Sequence, residues 1–229
     1  GKLSWGELNG IKYKCRHPFK SGKQQPVIIL SLTFPNRYVC DVVLKRDSRC
    51  SYENQQCSQL LQEIFPRIYF ETDNIAAIEF IDGIELEPFH ELIKDPQTFQ
   101  QLLDDAFEVF DKVTNSEYEF QDIMFHNGHN FIYDKNLKKF RAFDIHSIQK
   151  SKLSYEEKFI RFIDDKLRNT QISPEQIKLY MYFIQKYLIK YPGKKLQFEG
   201  KGRITLNQGD HGYEEAWRNF EKNCGWFIA

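Results

Sequence analysis

Short apolar runs of strand character come first in this chain, and longer stripes of helical period follow. "IKYKC" (Ile11–Cys15), "VIILSLT" (Val27–Thr33) and "YVCDVVLK" (Tyr38–Lys45) are rich in β-branched and aromatic residues. Clusters of Gly, Pro, Asn and Ser separate them, as turns separate strands. "FPNR" between the second and third runs predicts a hairpin. The period then changes. Over Ser51–Phe65 the apolar residues Cys57, Leu60, Leu61 and Ile64 recur at helical steps, Ser51 stands as an N-cap candidate, and Pro66 ends the run. "RIYF", the turn "ETDN" and "IAAIEFIDG" predict two further strands, the last running out as a connector at Glu79–Gly83.

From Pro96 onward the pattern is mostly helical. Phe99, Leu102, Leu103, Ala106, Phe107, Phe110 and Val113 form one apolar stripe that stops before "TNSE". The stretch Asp122–Asp144 reads as loop, strand, turn and strand. Leu153–Leu167 is helical with Phe159, Ile160 and Ile163 inward. Ser173 and Pro174 are a cap and first-turn pair that opens a helix over Ile177–Tyr191, stopped by Pro192-Gly193. The tail predicts a short strand or loop pair and a last helix around Tyr213–Lys222. The expected fold is α+β and two-lobed. A small five-stranded antiparallel sheet with one helix occupies residues 1–82, a mostly helical lobe occupies 83–192, and 193–229 is an extension packing on that second lobe.

Composition narrows the partners. Formal net charge is zero, so no overall field steers the chain to nucleic acid or an acidic membrane. No apolar run approaches the roughly 20 residues of a membrane span, and no signal peptide is read at the start. The five cysteines (Cys15, Cys40, Cys50, Cys57, Cys224) form no CxxC pair and no zinc spacing with histidine. No Asn-x-Ser/Thr sequon occurs. A reducing cytosol is expected, the cell's own or that of a host entered as an effector. The odd cysteine count leaves the secretory pathway open.

The candidate chemistry lies in two places. Lys45 ends the strand "VVLK". Glu53, near the centre of the apolar stripe of the following helix, needs a positive partner because an unpaired buried carboxylate is costly. Arg49, one helical turn away, can satisfy it. Further on, Asp122, Asn130 and Asp144 bracket "NFIYDKNLKKFRAFD". These residue types suit a nucleoside triphosphate and its metal ions. A lysine offsets phosphate charge, hard oxygen donors suit Mg²⁺, and a carboxylate can orient a nucleophile.

In that order, and over roughly Ile11 to Tyr191, these residues resemble the protein-kinase-like fold in an atypical, minimal form. The resemblance is to divergent groups: small bacterial effector kinases, HipA-like kinases, spore-coat kinases and secretory-pathway kinases. It implies that Lys45 contacts the α- and β-phosphates of ATP and that Glu53 pairs with it. Glu79 and Ile81 in "IEFIDG" would form the hinge whose backbone groups hold adenine. Asp122 would accept the proton of the substrate hydroxyl, while Asn130 and Asp144 would bind Mg²⁺ (or Mn²⁺). The implied activity is phosphoryl transfer from ATP to a hydroxyl of a protein substrate, Ser or Thr rather than Tyr. Two alternatives share the fold, which does not fix chemistry: a pseudokinase that binds and scaffolds, and a transferase moving AMP, or phosphate to a small molecule or sugar.

Departures from the family pattern define the open points. No G-x-G-x-x-G lies between the first two strands, where "RHPFKSGKQQP" offers only Gly22. Asp122 lies eight residues before Asn130, against about five in the usual catalytic loop. Aligned without a gap, the catalytic position is Phe125. Asn127, five after Asp122, is an alternative metal ligand. Ile and His follow Asp144, and Ser173-Pro174-Glu175 reads as a helix cap. Neither a long activation segment nor a large peptide-docking platform is expected.

Overall fold

A computed structural model describes residues 5–16, 27–46, 64–72, 75–83, 92, 94–120, 131–142, 148–167 and 174–191. The expected helix over 51–63 and the extension 193–229 lie outside the described residues. The chain divides into two compact units, Gly1–Asp82 and Gly83–Ala229. Among the described residues the fold is α+β, with a six-stranded antiparallel sheet and three helices. None of these helices is long and apolar enough to cross a membrane.

The first unit holds the large sheet. Its strands are β1 (Trp5–Leu8), β2 (Ile11–Arg16), β3 (Val27–Thr33), β4 (Val39–Arg46), β5 (Ile68–Glu71) and β6 (Ile75–Glu79), in the order β1-β2-β3-β4-β6-β5. The expectation of five strands is corrected to six, because β1 pairs with β2 through the Asn9-Gly10 turn. Both turn residues have positive φ, 49° and 78°, the geometry that lets a two-residue turn match the twist of its strands. The Phe34–Arg37 turn closes the β3–β4 hairpin, with Arg37 N–H donating to the Phe34 carbonyl at 2.9 Å. Along β2, Ile11, Tyr13 and Cys15 are half-buried while Lys12, Lys14 and Arg16 are exposed, the alternation of a strand with one wet face. Arg16 reaches Asp41 on β4 at 3.0 Å, and Ser31, opposite Asp41, donates to the same carboxylate. Ile29, Val42, Phe65, Ala76 and Ala77 supply the apolar core.

The second unit is built on three helices: α1 (Pro96–Thr114), α2 (Tyr155–Leu167) and α3 (Pro174–Lys190). Asp95 caps α1, its carboxylate accepting from Thr98 N–H at 2.8 Å. Ser154 and Glu157 form a reciprocal box at the start of α2, satisfying amides that the first turn leaves without helical partners. The stripe of α1 buries Leu102, Leu103, Ala106, Phe110 and Val113. Phe110 meets Phe162 and Phe183 at centroid distances of 4.9 and 4.8 Å, and Phe159 meets Tyr187 at 4.5 Å. Tilted and stacked contacts of this kind add to the burial of the rings. On α2, Phe159 and Ile163 are buried as expected; Phe162 is buried too, and Ile160 only half.

Two small antiparallel sheets complete this unit. The strands β8 (Phe131–Asp134) and β9 (Lys139–Ala142) form the expected hairpin, with Phe131 opposite Ala142. The strands β7 (Tyr118–Phe120) and β10 (Ile148–Lys150) pair outside it, with Phe120 opposite Ile148. That second pairing was not expected from the sequence.

Candidate functional site

In the first unit, Lys45 is half-buried near the end of β4, opposite Val27 on β3 and Ala76 on β6. Glu79 lies three residues along β6 from Ala76, opposite Val42. Because successive side chains alternate between faces, Lys45 and Glu79 stand on opposite faces of the sheet. The Glu79 carboxylate is held instead at the far strand, accepting from Arg67 N–H at 3.1 Å. Its own N–H donates to the Arg67 carbonyl at 2.8 Å. The structure therefore anchors the end of β6 through Glu79, and Ile81 beyond it is buried. Glu53 lies outside the described residues.

In the second unit, Asp122, Asn130 and Asp144, with Phe125 and Asn127, also lie outside the described residues. Their chain neighbours do not. The segment 121–130 leaves from Phe120 and re-enters at Phe131, and the segment 143–147 leaves from Ala142 and re-enters at Ile148. Phe120 is the partner of Ile148, and Phe131 is the partner of Ala142. One ladder thus ties the start of the first segment to the end of the second. The other ties the end of the first to the start of the second.

Polar groups fix both ladders in place. The buried Glu119 on β7 accepts from Gln149 Nε2 on β10 at 2.6 Å and lies 3.4 Å from the Arg161 guanidinium on α2. Lys158, also buried, donates from Nζ to the carbonyls of Thr114 and Ser116 just before β7. The Thr114 carbonyl, at the end of α1, is one that the helix leaves without a helical partner. Burial pushes the Lys158 ammonium down, and the charge of Glu119 opposes that shift.

In the hairpin, Asp134 accepts through Oδ1 from Asn136 and Leu137 N–H at 2.8 and 2.9 Å, and its Oδ2 lies 3.1 Å from the Arg141 guanidinium. Asp134 also forms a bridge with Gly83. Asp105 on α1 accepts from Phe140 N–H at 2.8 Å. Burial pushes its carboxyl up, against the opposing pull of the Phe140 amide and Lys139.

Sequence reasoning passed over Asp105, Glu119 and Lys158. Each is a polar residue whose partner is distant along the chain. Asp134 had a readable signal, an Asp opening the turn "DKNLKK". Among the described residues no three His, Cys, Asp or Glu side chains gather closely enough to hold a metal ion. The arrangement is a scaffold that pairs the strands flanking two segments, in a unit distinct from the one whose sheet carries Lys45. No known family model matches the chain, and no curated protein matches it in sequence.

Proposed function

We propose that this protein is an atypical, ATP-dependent phosphotransferase of the protein-kinase-like kind, acting on a protein hydroxyl. The observation that carries this reading is the nested pairing of β7 with β10 around β8 and β9. Phosphoryl transfer relies on positioning and charge stabilisation more than on covalent chemistry by the protein. A base and two metal ligands must therefore be held in fixed relation. The nested ladders suit that need, because Asp122 follows Phe120 by two residues, Asn130 immediately precedes Phe131, and Asp144 follows Ala142 by two.

Asp122 would orient the attacking hydroxyl. Asn130 and Asp144 offer a carboxamide and a carboxylate oxygen, hard donors that fit Mg²⁺ or Mn²⁺, an ion that would neutralise phosphate charge when bound. In the first unit, the register of β4 and β6 places Lys45 one strand across and about 10 Å along from Glu79. That offset suits an adenosine spanning from the Glu79–Ile81 backbone to phosphates at Lys45, with Glu53 as the lysine's partner.

Transfer from γ-labelled ATP to protein substrates, or to the chain itself, tests the reading. Label is expected with wild type and lost with Asp144→Ala. Equal labelling by both proteins, or none by either, would overturn it. Phe125, which stands at the catalytic position if the loop carries no insertion, favours a second reading: a pseudokinase that binds nucleotide without turnover. A thermal shift with ATP and Mg²⁺ in the absence of any transfer is its signature.

A further inference from the structure

At one edge of the six-stranded sheet, β1 has β2 on one side and, among the described residues, no strand on the other. A two-residue turn closes on a hydrogen-bonded pair, here Leu8 with Ile11, and bonded pairs alternate along an antiparallel ladder. Leu8 and Gly6 therefore turn their amides and carbonyls toward β2, while Trp5 and Glu7 turn theirs outward. The outer edge is open: Trp5 is 74% and Leu8 68% exposed, and Glu7 is exposed as well. It carries neither proline nor bulge, two devices that keep strand edges from pairing.

This edge is complementary to itself. A two-fold axis through Gly6 sets Trp5 opposite the partner's Glu7 and Glu7 opposite the partner's Trp5, so that every outward amide and carbonyl of both residues finds a partner. On the same face Lys12 lies beside Glu7 and Lys14 beside Trp5, all exposed. Each Glu7 then sits in a row between its own Lys12 and the partner's Trp5, with the partner's Lys14 beyond. An axis through Glu7 would instead set Glu7 directly against the partner's Glu7, and like charges so placed are destabilising. On the opposite face the axis sets Gly6 against the partner's Gly6. The ring of Tyr13 lies across Gly6, where a Cβ would overlap it. A strand glycine admits the close approach of another backbone, and the Tyr13 rings would cover that approach from both sides.

We propose that this edge is the contact surface for a second copy of the chain, joined β1 to β1 in antiparallel register about Gly6 into one continuous sheet. The contact is isologous, so each interaction occurs twice. Strands of four residues bury little area, so the dimer is weak and forms as concentration rises. The proposal rests on Trp5–Arg16 and is independent of the nucleotide reading.

Sedimentation equilibrium of the full chain, carried to about 1 mM to cover weak dissociation constants, reads the association, and amide exchange followed by NMR locates it. A reversible dimer is expected. The Trp5 and Glu7 amides should exchange more slowly as concentration rises, while those of Gly6 and Leu8, held by β2, stay unchanged. Glu7→Lys leaves only ammonium groups around the axis and is expected to weaken the dimer by about tenfold. Glu7→Pro removes an outward N–H without removing a bond to β2 and is expected to abolish the dimer; Glu7→Lys decides the matter if Glu7→Pro does not fold. A monomer at every concentration would overturn the proposal, as would a dimer that both variants leave intact. Protection of the Trp5 and Glu7 amides that is already complete in dilute solution would overturn it too, by showing that the chain covers this edge itself.

Discussion

The ring of Phe110 stacks on that of Phe120, with centroids 6.1 Å apart and 18° between the planes. This contact ties the C-terminal part of α1 to the strand that leads into Asp122. Phe110 also meets Phe159, Phe162 and Phe183, so one side chain joins all three helices and β7. Phe110→Ala is expected to lower the unfolding free energy by about 3–5 kcal/mol, the range for truncating a buried aromatic ring. Urea denaturation measures it. A loss of under about 1 kcal/mol would mean that the neighbouring rings close the gap.

Lys45 bears on both folding and nucleotide binding. It is half-buried, opposite Val27 on β3 and Ala76 on β6 in the sheet register, and Met keeps a side chain of similar length without the charge. Lys45→Met should lower the melting temperature without ligand, because Glu53 loses its partner, and remove the further rise produced by ATP and Mg²⁺. In wild type that rise corresponds to about 2.7 kcal/mol when ATP stands at about 100 times its Kd. Calorimetry with and without nucleotide distinguishes the two effects.

Gly83 leaves no room for a side chain, because a Cβ there would overlap the side chain of Ile132. Gly83→Val is expected to cost about 1–3 kcal/mol by overpacking. Ile132→Ala introduced with it should recover part of that loss, so the double variant is more stable than the sum of the single effects implies. A double-mutant cycle in urea reads the coupling, and additive losses would show that Gly83 serves some other need.

Neighbouring carboxylates on α1 respond to acid with opposite sign. At Asp104 burial raises the carboxyl, but hydrogen bonds from Tyr182 and Gln100 and the charge of Lys186 outweigh it, leaving the group below the usual carboxylate range. Its contribution to stability is therefore present above the unfolded pKa and lost as pH falls through the folded one. Asp105 is raised by burial, so its contribution is present below the unfolded pKa and lost as pH rises through the folded value. Thermal unfolding followed from neutral pH into the acid range should show a shallower loss for Asp104→Asn than for wild type. Asp105→Asn should steepen that loss by removing the opposing contribution.

The helices were the most legible part of the fold. Leu102, Leu103, Ala106, Phe110 and Val113 repeat over about three turns, and a stripe of that length has one partner, the core. By contrast β7 and β10 are three residues each, too short for alternation to show. They exist because Phe120 and Ile148 are brought together by the rest of the unit. The strand β1 had a signal in Asn9-Gly10, but Gly6 and the exposed Trp5 and Leu8 blur its alternation. For the site, the opposite faces of Lys45 and Glu79 were not legible, because they depend on the register of β4 against β6. Asp105, Glu119 and Lys158 were illegible for a different reason. A lone acid or amine within an amphipathic segment has the pattern of a solvated residue, and its partner, a backbone group for Asp105 and Lys158 and distant side chains for Glu119, is not marked by any local pattern.

The nested ladders also determine what a broken chain would do. Cutting within 121–130 severs the covalent link from β7 to β8, yet β7 remains bonded to β10, and β10 is joined through 143–147 to β9, which holds β8. Cutting within 143–147 is bridged in the same way through 121–130. A protein nicked once in either segment therefore keeps its four strands joined in one unbroken path, and two fragments divided there carry the complementary edges needed to find each other again.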